Sequence, residues 1–192
     1  MPNITSTDRL PFTGDDAADR LLVSDPFALL IGFVLDQQVP LQKAFSGPLV
    51  LRERLGSLDA KAIATMDPDA LQTVFRTPPA LHRFPGNMAK RTREMAAWLV
   101  ATHDGDASRI WLEAKDGADL HKRLLEVPGF GPMKAGTLVA ILGKRLGVRP
   151  PGWEAFVPDH MTLGDVDSPE SLREYQAWKK GMKAEAKAAA ER

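Results

Sequence analysis

From Pro26 to Leu35 the chain reads Pro-Phe-Ala-Leu-Leu-Ile-Gly-Phe-Val-Leu, bracketed by Asp25 and Asp36, with no polar side chain between them. Asp25-Pro26 supplies an N-cap followed by proline at the first helical position, and Phe27, Leu29, Leu30, Phe33, Val34 and Leu35 then make a helix apolar nearly all round. No window of the chain approaches the roughly 18 apolar residues that a membrane span requires, so this helix must be central to a water-surrounded fold. Strands cannot wrap it here, because alternating β-branched runs are nearly absent. Apolar residues instead recur at helical spacing to the end of the chain, which predicts an all-α protein.

Punctuation sets the other elements. Residues 1–14 read as irregular and Asp15 to Val23 as a short helix. Pro40 opens a helix through Leu55, closed by Gly56, and Asp67-Pro68 starts another through Phe75, ended by Thr77-Pro78-Pro79. After Pro85-Gly86, Asn87 is expected to cap a long helix to about His103, with Met88, Met95, Trp98 and Leu99 inward. Helical patterns over Asp119 to Val127 and Met133 to Leu146 flank Pro128-Gly129-Phe130-Gly131-Pro132. Residues 148–158 read as a stiff, proline-rich connector, and Ser168-Pro169-Glu170 begins a final helix with an alanine-rich end.

The chain has no cysteine, which excludes disulfides, thiolate metal sites, cysteine nucleophiles and cysteine-ligated iron–sulfur clusters. Its 25 basic and 25 acidic residues balance, so it is not a general coat for nucleic acid. The basic residues nevertheless segregate: Arg83, Lys90, Arg91 and Arg93 form one group, and Lys122, Arg123, Lys134, Lys144, Arg145 and Arg149 another. One polyanion-facing surface would explain this, and so would ordinary solvated helix faces. Met1-Pro2-Asn3-Ile4 lacks the basic-then-apolar pattern of a secretory leader, so a cytoplasmic, nucleoid-associated protein is expected.

The turn at Pro128–Pro132 carries the most specific chemistry. Gly129 and Gly131 let the chain bend sharply and bring its own N–H groups against a ligand, and Pro132 suits the first turn of the next helix. Free amides, the positive end of a helix and the nearby cations Lys134, Lys144 and Arg145 would together seat a phosphate without reading sequence. The same residues also suit a plain helix–turn–helix corner with a glycine cap.

With its flanks, Leu125-x-x-Pro-Gly-x-Gly-x-x-x-Ala135 resembles the hairpin of the helix-hairpin-helix DNA glycosylase superfamily. Three further stretches occur in the order that superfamily requires. Phe27 to Gln38 resembles its early core helix, whose terminal glutamine enters the duplex where a base has left, which makes Gln38 the wedge and Gln37 the lesser candidate. Phe84-Pro-Gly-Asn-Met-Ala-Lys-Arg91 is similar to its turn into a long helix. Phe156-Val-Pro-Asp-His-Met161 resembles the segment with its catalytic aspartate, here Asp159. A fixed carboxylate stabilises the positive sugar formed as a base departs, or orients the attacking water. Without that context, Asp159 also suits a turn or helix cap, and the two glutamines a solvated helix end.

The resemblance implies two helical lobes with a single unit over 1–192. One lobe is drawn from roughly 26–135, the other from the N-terminal segment and 136–192, with the hairpin at 118–146. It implies DNA contact through Gln38, Gly129, Phe130, Gly131, Met133 and Lys134, and a base pocket drawn from Phe27, Trp153, Phe156 and His160, although such aromatics also serve as core. Met133 stands where strand-cutting relatives carry a lysine, and Lys134, about 100° around the helix, is expected to point elsewhere. Base removal by water without a lyase step follows, on a lesion in double-stranded DNA, by a monomer with no membrane partner. No cofactor is expected beyond a potassium, sodium or magnesium ion bridging hairpin carbonyls to phosphate. Two other readings stand beside this one: a helix-hairpin-helix DNA-binding module without chemistry, and a helical protein holding an apolar small molecule near Phe27, Phe33 and Trp153.

Overall fold

The structure, a computed structural model, describes residues 7–191, so residues 1–6 of the segment expected to be irregular lie outside it. The described residues form α1 (Asp16–Ser24), α2 (Pro26–Leu35), α3 (Leu41–Leu55), α4 (Ala60–Thr65), α5 (Pro68–Arg76), α6 (Pro85–His103), α7 (Arg109–Leu112), α8 (Gly117–Leu125), α9 (Pro132–Lys144) and α10 (Pro169–Ala190). Short 3-10 turns occupy Trp153–Phe156 and Leu163–Asp165, and no strand occurs among these residues. The protein is all-α.

Helix α2 is central, as its sequence requires: every residue from Phe27 to Leu35 is buried. The Asp25 carboxylate starts it by accepting from the N–H groups of Phe27 (2.9 Å) and Ala28 (3.2 Å). Two glycines set how closely α2 meets α3. A Cβ on Gly32 would run into the Phe45 ring, and one on Gly47 into the Leu35 side chain. Phe45 in turn meets the rings of Phe12 (5.3 Å) and Phe33 (5.4 Å) edge to face. Phe33 continues the chain of rings to Phe130 at 5.5 Å, which docks the turn before α9 onto α2. Buried residues of both expected lobes therefore belong to one continuous core.

Helix α6 departs from expectation at its start. It opens at Pro85, with Phe84 before it making no side-chain cap, and Asn87 lies exposed inside its first turn. Proline's fixed φ suits the first helical position and needs no donor there, so the helix begins three residues early. Helix α4 gave no periodic signal because only Ala60 and Ile63 of its six residues are buried, yet Asp59 caps it through Lys61 (2.8 Å) and Ala62 (3.3 Å). The connector 148–158 is packed rather than free. Gly117 N–H donates to Pro151 O (2.8 Å), the Trp153 ring covers Gly143, and Phe156 stacks on His121 at 5.0 Å.

Candidate functional site

Between α8 and α9 the backbone turns at Gly129, whose φ of +84° lies in the left-handed region. Phe130 N–H closes the turn on Val127 O (3.0 Å), and Gly131 O accepts from Ala135 N–H (3.0 Å) to begin α9. The N–H groups of Gly131, Met133 and Lys134 find no acceptor in the protein, because the first turn of a helix has none to offer and no side chain caps this one. Gly129, Gly131, Pro132 and Met133 are exposed, so these donors face solvent at the positive end of a helix. Phe130 differs: its ring is buried against Phe33, leaving its backbone alone for any ligand.

Beside this turn stands the loop that ends α2. Gln37 is tied down, its amide donating to Val34 O (2.9 Å) and its oxygen accepting from Arg91 (2.9 Å). His82 braces it from below. Phe84 N–H donates to His82 Nδ1 (3.0 Å), so Nε2 carries the proton and donates to Gln37 O (2.8 Å). Burial holds the His82 imidazole below the ordinary histidine range, which keeps that neutral tautomer. Gln38 is exposed and held at φ +56°, unusual for a residue with a side chain. The packing thus separates the two glutamines: Gln37 belongs to the scaffold and Gln38 projects. Between this loop, Arg91 and the turn at Pro128-Gly129 lies a cleft of about 300 Å³.

On the other side of Lys134 a cavity of about 390 Å³ opens between α2, α9 and α10, its walls including Phe33, Asp36, Thr137, His160, Tyr175 and Trp178. Lys134 reaches across it to α2, its ammonium donating to Phe33 O (2.5 Å) and standing 5.9 Å from the Phe130 ring centre. Burial pushes this ammonium below the usual lysine range, Asp36 nearby opposes that shift, and Arg91 adds to it. The Tyr175 hydroxyl is pushed up to about 12 by burial and by Asp36. His160 stacks on Trp178 at 5.1 Å and 23°, making a flat aromatic wall. Lys179 and Lys183, one turn apart on α10, also border the cavity.

The expected site residues separate into two sets. Gly129 borders the cleft, Met133, Lys134 and His160 line the cavity, and Gly131 precedes α9, while Gln38 is exposed after the end of α2 and lines neither cleft nor cavity. Lys134 lines the cavity rather than pointing away from it, and the neighbouring Met133 lines it too while remaining 75% exposed. Phe27, Trp153 and Phe156 serve packing: Phe27 lies in the core, Trp153 covers Gly143 and Phe156 covers His121. Asp159 is exposed, beside His160 in the chain but not among the cavity's lining residues.

The basic groups are mostly engaged elsewhere. Lys144 and Arg145 follow at the far end of α9, about 18 Å from its start. There Lys144 pairs with Asp165 (2.6 Å). Arg149 donates to Gly143 O (2.7 Å), Arg93 to Met66 O (3.1 Å), and Arg123 pairs with Asp119 (3.1 Å). The phosphate seat expected from Lys134, Lys144 and Arg145 is therefore not assembled. Reading the sequence missed Asp36, Tyr175, Trp178, Lys179 and Lys183 as neighbours of the turn. The i, i+4 spacing of Tyr175, Lys179 and Lys183 was the one signal for a shared face on α10.

Among the described residues no group of three or more His, Asp or Glu side chains is placed to hold a metal ion, and no helix is long and apolar enough to cross a membrane. In comparisons with protein-family models, curated proteins and solved structures, the chain matches none.

Proposed function

We propose that the protein is a helix-hairpin-helix DNA glycosylase that removes a damaged or mispaired base from duplex DNA by water, without cutting the strand. The observation that carries this reading is one juxtaposition. Uncapped, solvent-facing amides open α9, the exposed Gln38 follows Asp36 by two residues, and a cavity walled by aromatics is lined by Asp36 together with Met133 and Lys134 of the first turn of α9. A phosphate diester needs the first, a gap in the base stack the second, and an everted base the third. The carbonyls of Pro128, Gly129 and Phe130 accept no hydrogen bond, so their chemistry also fits a potassium, sodium or magnesium ion, which would add positive charge beside the phosphate.

Asp159 borders the loop that places His160 on the cavity wall, and its proposed part is to orient the attacking water once DNA covers the mouth. The Lys134 ammonium is held on Phe33 O, which fits the absence of a lyase step. Duplexes carrying deaminated, oxidised, alkylated or mismatched bases test the reading. Wild type should release at least one of these bases, Asp159→Asn should slow release by about 100-fold or more, and borohydride should trap no covalent adduct. Equal rates in wild type and variant would remove Asp159 from the mechanism.

The exposure of Asp159, away from the cavity walls, favours a second reading, a DNA-binding module without chemistry. Salt-sensitive DNA binding with no excision of any lesion would select it.

A further inference from the structure

Gln37 is held at four points, and Gln38 beside it at none. The Gln37 N–H donates to Leu35 O (2.7 Å) and its carbonyl accepts from His82 Nε2 (2.8 Å). Its side-chain amide donates to Val34 O (2.9 Å), and its side-chain oxygen accepts from Arg91 (2.9 Å). Gln38 makes no hydrogen bond among the described residues, and its φ of +56° is one that a residue with a side chain rarely adopts. A conformation of that kind persists only where the surroundings over-determine it. Here two of the four holds on the preceding residue come from far along the chain, 45 residues away for His82 and 54 for Arg91.

Of these holds, Arg91 has bonding capacity to spare. A guanidinium carries five N–H donors, and the bond to Gln37 is the one hydrogen bond or ion pair that its side chain makes among the described residues. No acid on its own helix competes for it: Glu94, one turn on and in the wall of the same cleft, reaches back to Lys90 (3.7 Å) instead. Gln37 and Arg91 line that cleft of about 300 Å³ together with Pro128 and Gly129. The Gly129 N–H, like those at the start of α9, finds no acceptor among the described residues. A half-buried arginine with unused donors, set in one cleft with a free amide, suits a phosphate group, which it can take in two parallel bonds while a third stays on Gln37.

We propose that Arg91 is a positioning residue that takes a backbone phosphate in the cleft and, through Gln37, fixes the reach of Gln38 into the duplex. This rests on the glycosylase reading above, in which Gln38 fills the gap left by a base. The guanidinium ties the two events together, because the group that receives the phosphate is also a strut of the loop. A lysine at position 91 would supply the charge without the strut, since its ammonium is a compact point charge that lacks the planar fork spanning phosphate and Gln37 together.

A duplex carrying a tetrahydrofuran abasic analogue, with 2-aminopurine opposite it, tests the assignment, because a side chain entering the gap unstacks the probe and raises its fluorescence. Wild type should bind with that rise, and Gln38→Ala should bind without it. Arg91→Lys should keep the salt slope of wild type but lose the rise, as should Gln37→Met, and the two combined should do no more than either alone. Arg91→Met should lose the rise, bind about ten-fold more weakly or worse, and make the slope of log K against log salt shallower by about 0.9, the share of one phosphate. An arginine that merely holds the fold would shift the melting temperature and leave the slope unmoved. A full rise in Arg91→Lys overturns the inference, and so does an unchanged slope in Arg91→Met. A wild type that binds without the rise removes Gln38 from the gap and overturns the inference with it. Failure of wild type to bind the duplex would overturn the DNA reading as well, which separates the two failures.

Discussion

His82 couples one residue's protonation to the shape of the loop that carries Gln38. Protonating Nδ1 would replace an acceptor with a donor facing Phe84 N–H, so the loop requires the neutral ring. The folded protein holds His82 below its ordinary value near 6.5, and burial does the same to His103. As pH falls below that value, the unfolded chain takes up protons that the folded one resists. The stability contributed by the neutral rings is therefore present in full above the unfolded pKa and lost as pH falls through the folded ones. Melting temperatures at pH 7 and pH 5 should show a drop in wild type and a smaller one in His82→Gln, whose amide can imitate both ring contacts. Equal drops would show that His82 does not govern the loop. The residue scale is also where reading the chain was weakest. Met133 and Lys134 are neighbours in sequence and both line the cavity, yet only the fold shows that Lys134 is held on Phe33 O while Met133 stays exposed at the rim.

At the scale of elements, the turn before α9 holds two glycines with different physical duties. Gly129 is in the left-handed region, so Gly129→Ala should cost about 1–2 kcal/mol of stability. Gly131 is extended (φ −106°), and a Cβ added there meets nothing within 4 Å. Gly131→Ala should therefore unfold within about 0.5 kcal/mol of wild type while its methyl obstructs the uncapped amides and weakens DNA binding. Chemical denaturation and binding isotherms on both variants check this. A Gly131→Ala protein that binds DNA as wild type does would show that those amides do not meet phosphate. Element positions themselves were largely legible, because aspartate–proline pairs and glycines punctuate the chain: Asp25-Pro26 and Asp67-Pro68 start α2 and α5 as expected. The short α4 and α7 escaped because a helix of one turn or two leaves no periodicity to see.

For the whole molecule, charge pairing decides how it would meet a polyanion. With Arg93, Arg123, Lys144 and Arg149 engaged internally, few cations remain near the turn and the cavity. Since each neutralised phosphate contributes about −0.9 to the slope of log K against log salt, the expected slope is shallow, roughly −2 to −4. Binding titrations across salt concentrations measure it, and a slope steeper than about −6 would reveal a wide basic face that the structure does not hold together. The amino-acid sequence by itself determined the all-helical architecture, the central place of α2, and the sharp turn between α8 and α9. These follow from side-chain polarity, periodicity, and the backbone limits of proline and glycine, all of which act locally. Tertiary structure alone decided that Lys134 and Asp36 share a cavity while Trp153 and Phe156 serve packing. A side chain's neighbours depend on how helices rotate and press together, and that is settled by contacts such as Phe45 on Gly32 and Phe130 on Phe33, between residues far apart along the chain.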